Sequence, residues 1–253
     1  MNILVVNDDG IQALGIKLLA TALKKYGNVY VVAPDRGRSA ASHSVILNKP
    51  LLFERVNQIE GVDCYQTSGM PADCVRLANI ILGVKFDLVV SGVNDGLNLG
   101  TDILYSGTCA GAREGVIEGI PGVAISTDFK SFDIVEKELD QVLELVIGNK
   151  LYSKEYLLNV NFPISKYTES KGVKVARQGD KIFTSIFTEI EPNTYSVLNE
   201  EEIHDKNPDT DVYLSDMGYI TLVPVEIDQT SYKHLEHLNK LFYRSDFYEK
   251  KNN

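Results

Sequence analysis

The first two-thirds of the chain alternates short apolar runs with longer segments of helical spacing, and this alternation limits the possible folds more than any other feature. Residues 3–6 and 29–33 carry no charged side chain, as expected of strands buried on both faces. Between them Ile16, Leu19, Ala20 and Leu23 recur at helical spacing, Lys24 and Lys25 fall in the last turn, and Gly27 is a stop. The same reasoning gives a strand over 62–67, a helix opened by Pro71-Ala72-Asp73 and ended by Gly83, and a strand over 86–90. It then gives a helix over 107–118, a strand over 122–126, a long amphipathic helix over 132–147 and a strand over 157–162. Alternation of this kind implies an α/β fold of three layers, a mostly parallel sheet with helices on both faces.

After Pro163 the character changes. Residues 173–177, 182–187, 194–198 and 219–224 read as strands without long helices between them, and 199–211 as an acidic, exposed loop. A last helix is expected from Ser231 to about Tyr243, with a frayed tail over 249–253. No repeat or low-complexity linker interrupts the chain. We expect one domain over 1–253, with a core of about 1–165 and a strand-rich C-terminal extension of about 166–253 that serves oligomerisation.

Composition narrows the partners. No segment approaches the roughly 18 uninterrupted apolar residues that span a bilayer, so no membrane partner is expected. Residues 1–9 lack the basic start and cleavage site of a signal peptide. Cys64, Cys74 and Cys109 are too widely spaced for a disulfide framework or a zinc cluster, which points to a reducing cytoplasm. The net charge of −10 argues against binding duplex nucleic acid, whose affinity comes mainly from Lys and Arg neutralising phosphates. A small phosphorylated ligand stays open, because one metal ion or one helix N-terminus can reverse the local field.

In an open parallel sheet ligands bind beyond the carboxyl ends of the strands, so the loops there carry the chemistry. The first offers Asn7-Asp8-Asp9-Gly10. Adjacent carboxylates in a crevice repel each other unless a hard cation such as Mg²⁺ or Mn²⁺ joins them; the plainer reading is a solvated turn. The second, residues 33–44, is rich in hydroxyls and carries Arg36 and Arg38. Ser39 or Ser42 can bind metal or phosphate and the arginines can hold phosphate oxygens; alternatively Asp35 pairs with one of them. His43 is read as structural. The third, residues 91–100, has three glycines that allow close backbone approach, and Asn94 offers a carbonyl oxygen to a metal or an amide to an anion. The fourth, Tyr105-Ser106-Gly107-Thr108, precedes a helix and is either an anion site or a plain N-cap. Each loop alone has an ordinary explanation; four of them offering hard ligands and anion donors at successive strand ends do not.

These motifs, Asn-Asp-Asp-Gly at 7–10, Ala-Pro-Asp-Arg-x-Arg-Ser at 33–39, Ser-Gly-Val-Asn-x-Gly-x-Asn-x-Gly at 91–100 and Tyr-Ser-Gly-Thr at 105–108, resemble the SurE family. These are the stationary-phase survival proteins that act as 5′/3′-nucleotidases. Gly-Met-Pro-Ala-Asp-Cys at 69–74, Leu-Asn-Val-Asn-Phe-Pro at 158–163 and Gly-Tyr-Ile-Thr-Leu-Val-Pro at 218–224 extend the resemblance over nearly the whole chain. It implies a Rossmann-like domain and one divalent cation per subunit, Mg²⁺ or Mn²⁺, held by residues matching Asp8, Asp9, Ser39 and Asn94. It further implies phosphate binding by Asn94, Ser106, Gly107 and Thr108, catalysis by Asp8, Asp9 and Asn94, and a C-terminal extension exchanged within a homodimer or homotetramer. The implied reaction is hydrolysis of nucleoside 5′- and 3′-monophosphates, with short polyphosphate as a further substrate. Gly37, Ala40 and Asp209-Thr210-Asp211 (in place of Gly-Thr-Asp) depart from the family pattern. None falls on a residue that the resemblance assigns to the metal; they bear on substrate preference and loop shape.

A covalent phosphoenzyme is not expected: the chain has neither Asp-x-Asp-x-Thr, Cys-x₅-Arg nor Arg-His-Gly, and no Gly-x-Ser-x-Gly elbow. Two other classes share part of this pattern. A receiver domain also carries an acidic pair after its first strand, but Ser91 stands where its phosphoacceptor Asp would be. Non-catalytic dinucleotide binding lacks its Gly-x-Gly-x-x-Gly at residues 8–13.

Overall fold

The computed structural model describes residues 1–242. In chain order its elements are β1 (Asn2–Val6), α1 (Leu14–Leu23), β2 (Asn28–Pro34), β3 (Phe53–Val56), β4 (Asp63–Thr67), α2 (Pro71–Ile81), β5 (Leu88–Asp95), α3 (Gly107–Ile117) and β6 (Gly122–Thr127). They continue with α4 (Phe132–Leu143), β7 (Tyr156–Asn161), β8 (Val173–Val175), β9 (Lys181–Glu191), β10 (Thr194–His204), α5 (Asp211–Asp216), β11 (Ile220–Glu226) and α6 (Tyr232–Phe242).

Nine strands form one sheet in the order β3-β4-β2-β1-β5-β6-β7-β11-β8. Pairing is parallel except where β3 meets β4 and β11 meets β7. The reason is visible in β1: Ile3 and Val5 belong to one buried cluster, Leu4 and Val6 to another. A strand apolar on both faces needs cover on both. Helices α1 and α4 pack their apolar stripes on one face, while α2 and α3 cover the other. From β1 the chain winds outward through β2 and β4, then returns to place β5 on the other side of β1. The crevice at this reversal, beyond the carboxyl ends of β1 and β5, is the binding position of a doubly wound sheet.

Several expectations are corrected. The strand expected over 86–90 starts at Leu88 and runs on to Asp95, through residues read as a loop. Pairing with β6 continues after a register shift, Asn94 opposite Ser126 and Asp95 opposite Thr127. Gly92 makes the shift possible: its φ is +131°, and a Cβ there would lie 2.2 Å from the Ile125 carbonyl oxygen. The helix expected to reach 147 ends at Leu143 and continues as a wider π-helical turn over Glu144–Gly148. The polar loop expected over 199–211 holds for 205–210; Asp211 opens α5, and 199–204 form the second half of β10. Its polar residues pair across the ladder, Asn199 with Ser185 and Glu200 with Thr184, so hydrophobic alternation carries no signal. Half-exposed β3, of four residues, and α5, of six, are too short for periodicity to mark them. The strands β8 and β11 of the C-terminal segment complete the main sheet, whereas β9 and β10 form a separate antiparallel hairpin. The expected end of the last helix at Tyr243 and the tail over 249–253 lie outside the described residues.

Candidate active site

Beyond β1 the chain turns back on itself. The buried Asn7 side chain closes this turn, donating to the Gly10 carbonyl (2.9 Å) and accepting from the Gly10 N–H (3.2 Å). The turn presents Asp8, which is 5% exposed, and Asp9, which is half-buried. Burial pushes the Asp8 carboxyl from its ordinary 3.8 up to about 6, with Thr108 hydrogen bonding pulling it down and the Asp9 charge adding to the rise. Burial also raises Asp9, partly offset by the Asp95 N–H (3.1 Å), while the Asp95 charge adds to the rise. Among the described residues no lysine, arginine or histidine pairs with either carboxylate.

The second loop folds onto this turn through Arg38, whose N–H donates to the Asp8 carbonyl (2.7 Å). That bond brings Ser39, the next residue, beside the acidic turn with an exposed side chain. The Arg38 guanidinium is engaged elsewhere, by Asp35 (3.0 Å) and the Ser68 carbonyl (2.8 Å). Ser42 donates its hydroxyl to the Leu104 carbonyl (2.7 Å), and His43 pairs with Glu114 (2.7 Å). Of this loop's candidate ligands, Ser39 and Arg36 are exposed and make no such side-chain bonds among the described residues.

On β5, Asn94 donates its side-chain N–H to the Gly96 carbonyl (2.7 Å), which fixes the direction of its Oδ1 acceptor. The loop that follows is held from below. Asn98 bonds the Ser126 hydroxyl (2.8 Å) through its amide, and its backbone N–H donates to Asn161 Oδ1 (2.8 Å). Asn159 and Asn161 both donate to the Asn98 carbonyl (2.9 and 3.1 Å).

The fourth loop brings the N-terminus of α3 against the acidic pair. Ser106 caps the helix, its oxygen accepting from the Cys109 N–H (3.0 Å), so its hydroxyl hydrogen remains to donate outward. The Thr108 hydroxyl donates to Asp8 Oδ1. Close contact follows from glycine at every fourth position of α3. A Cβ on Gly107 would lie 2.8 Å from Asp8 Cβ, one on Gly111 2.9 Å from Val6, and one on Gly115 2.8 Å from Val89. Expectation from sequence missed this glycine face, although its spacing is readable in the chain, and it missed the buried asparagines, which have no sequence signal of their own.

The structure therefore brings Asp8, Asp9, Asn94, Ser106, Gly107 and Thr108 to the mouth of one crevice, with Ser39 at its rim. No third His, Cys, Asp or Glu joins the acidic pair in a metal-holding cluster among the described residues. A cation held there would complete its shell with neutral oxygens such as Asn94 Oδ1, the Ser39 hydroxyl and water, a donor set that suits a hard divalent ion.

Fold and site together define a doubly wound α/β protein in which an acidic pair meets the N-terminus of a helix. The family model described as survival protein SurE matches residues 3–185, and the chain belongs to that family. Similar proteins include the 5′-nucleotidase SurE of Clostridium botulinum (strain Langeland), 41% identical over 96% of this chain and 99% of that protein. Another is the 5′-nucleotidase SurE of Pelotomaculum thermopropionicum, 40% identical over 95% of each chain. The crystal structure of the SurE protein from Aquifex aeolicus superposes with a TM-score of 0.81 at 37% identity, covering 96% of this chain and all of that one.

Proposed function

We propose that this chain is a divalent-metal-dependent 5′-nucleotidase that hydrolyses nucleoside 5′- and 3′-monophosphates, and short polyphosphate, to release phosphate. One observation carries the reading: buried, uncompensated Asp8 is hydrogen-bonded to Thr108 in the first turn of α3. A helix N-terminus recruits phosphate, yet a phosphate beside two carboxylates is repelled unless a cation lies between them. One Mg²⁺ or Mn²⁺ per subunit, held by Asp8, Asp9, Asn94 and Ser39, supports both charges at once. When bound, such an ion supplies charge neutralisation at the phosphoryl group and a lowered water pKa.

The chain's own groups do the rest. The Ser106 hydroxyl and the free N–H groups of α3's first turn hold phosphoryl oxygens, joined by Thr108 once the Asp8 charge is met. The side-chain amide of Asn94 orients the phosphoryl group from the β5 side. Asp8 or Asp9 orients the attacking water and takes its proton. Phosphate release from a panel of nucleoside 5′- and 3′-monophosphates, using metal-stripped protein with Mg²⁺, Mn²⁺ or EDTA, tests this. Metal-dependent release abolished by EDTA is expected; folded protein that releases nothing under any condition sinks the reading.

The same proposal makes the chain one functional domain whose C-terminal segment, 166–253, associates with further copies in a dimer or tetramer. The β9–β10 hairpin supports this, because it is apolar on both faces and solvent-exposed: Ile182, Ile186 and Leu198 lie on one side, Phe183, Phe187 and Val197 on the other. A two-stranded hairpin alone is marginal in water. Tyr232, Leu235, Leu238 and Leu241 form an equally uncovered stripe on α6. Light scattering behind gel filtration should give a multiple of the chain mass, and Phe187→Glu should shift it downward. A wild-type monomer at micromolar concentration rules the assembly out. The cytoplasm is the compartment that fits this reading. Three free, buried thiols support a reducing setting, and no helix among the described residues is long and apolar enough to cross a membrane.

A further inference from the structure

The Asp209-Thr210-Asp211 motif has no part in the site just described, and Asp211 lies at the start of α5, far along the chain from it. Its carboxylate is fully buried, and among the described residues no cation pairs with it. Instead it accepts three backbone N–H groups: Gly100 (2.9 Å), Gly179 (2.8 Å) and Val212 (2.9 Å). Gly100 opens the single-turn segment Gly100–Leu104 that leads into the phosphate turn. Two more bonds from the base of the hairpin grip the same segment. Gln178 donates to the Gly100 carbonyl (2.9 Å), and Lys181 pairs with Asp102 (2.9 Å), both side chains mostly buried. The Asp102 carbonyl in turn accepts the Ser106 N–H (3.1 Å). An unbroken chain of short bonds thus runs from Asp211 and Lys181 to the residue that caps α3.

We propose that Asp211 and Lys181 are positioning residues for phosphate: they clamp the 100–105 segment from the C-terminal side and so set where Ser106 and the N-terminus of α3 stand relative to the acidic pair. The inference rests on the nucleotidase reading and adds to it that the C-terminal segment, besides mediating assembly, holds half of the site in register. Asp211 suits this task because two carboxylate oxygens can accept three N–H groups. An asparagine has one acceptor oxygen and would turn its own N–H₂ toward a backbone donor. The acidic turn at 8–9 is held by Asn7 and Arg38 and touches neither clamp residue. Loss of the clamp therefore weakens phosphate binding while sparing the metal.

The test uses the full-length wild type with Asp211→Asn and Lys181→Met. Mn²⁺ affinity is measured by calorimetry on metal-free protein, and inhibition of nucleoside monophosphate hydrolysis by inorganic phosphate is measured on the loaded enzyme. Both variants should bind Mn²⁺ within about twofold of wild type, while the phosphate inhibition constant and KM rise about tenfold or more, as expected for a displaced turn. Unchanged phosphate inhibition in both variants overturns the proposal, as does a loss of Mn²⁺ affinity in step with phosphate, which would mark general collapse of the site. If Asp211→Asn fails to fold, Lys181→Met carries the test, since it leaves the three backbone bonds of Asp211 in place. A wild type that releases no phosphate under any metal overturns the nucleotidase reading and this inference with it.

Discussion

Replacing Asp8 with asparagine should make the metal-free protein more stable and nearly inactive. Burial and the neighbouring Asp9 raise the Asp8 carboxyl from 3.8 to about 6 in the folded chain. The folded state therefore holds this proton more tightly than the unfolded state does. As pH rises from about 4 to about 6 the folded protein loses stability, and above that window the whole penalty is present, about 3 kcal/mol at most. Asparagine removes the charge and keeps an acceptor for Thr108. At pH 8 without metal, the variant's melting temperature should exceed wild type by roughly 2–4 °C per kcal/mol recovered. Near pH 4, where the wild-type carboxyl is protonated in the fold, the two should coincide. Mn²⁺ should raise the wild-type melting temperature and leave the variant unmoved, because ligand linkage requires a site. Turnover should fall about a hundredfold or more, corresponding to the several kcal/mol that a bound cation contributes. Calorimetry across pH with and without Mn²⁺, paired with phosphate release, reads all of this. Equal stability at pH 8 would show that the buried Asp8 charge carries no cost, and wild-type turnover that Asp8 does not hold the metal.

Gly107→Ala should be the most damaging single methyl group in the site. The added Cβ would lie 2.8 Å from Asp8 Cβ and 2.9 Å from Asp8 Oδ2. Moving Asp8 breaks its bond to Thr108; moving α3 opens the close contacts of Gly111 and Gly115 with β1 and β5. Either response changes the spacing between the acidic pair and the Ser106-Gly107-Thr108 turn, and a shift near 1 Å costs about a hundredfold in rate. The stability cost should be that of ordinary overpacking, about 1–3 kcal/mol. Gly119→Ala is the control. Gly119 sits at φ +77° with open space around it, so alanine there should cost about 1 kcal/mol through backbone strain and leave kcat/KM unchanged. Denaturant midpoints and kcat/KM for the pair separate the two effects. A Gly107→Ala enzyme that loses no more activity than Gly119→Ala would mean that the contact with Asp8 has no bearing on turnover.

The amino-acid sequence alone determined the layered α/β class. Continuous apolar runs such as residues 3–6 need cover on both faces, and the helices between them supply it. The sequence also marked Asp8, Asp9, Asn94 and the Ser106-Gly107-Thr108 turn as the residues to watch, because carboxylates, amides and helix-capping hydroxyls at strand ends have a local chemistry that spacing reveals. Tertiary structure alone decided which of many polar loop residues stay free. Arg38 and Ser42 look as suited to phosphate as Ser39 does, yet their partners Asp35 and Leu104 commit them to holding loops together. It also decided where β5 ends, since Asn94 is aimed by a register shift against β6 that a single strand's residues cannot encode. The clamp at Asp211 lies furthest from the reach of sequence reading. Its bonds join residues 111 and 32 positions apart, and a buried carboxylate is intelligible only once the N–H groups around it are known. Local propensity and periodicity act over a few residues, so they fix the elements; hydrogen-bond satisfaction in the folded interior acts at any separation, and it fixes the site.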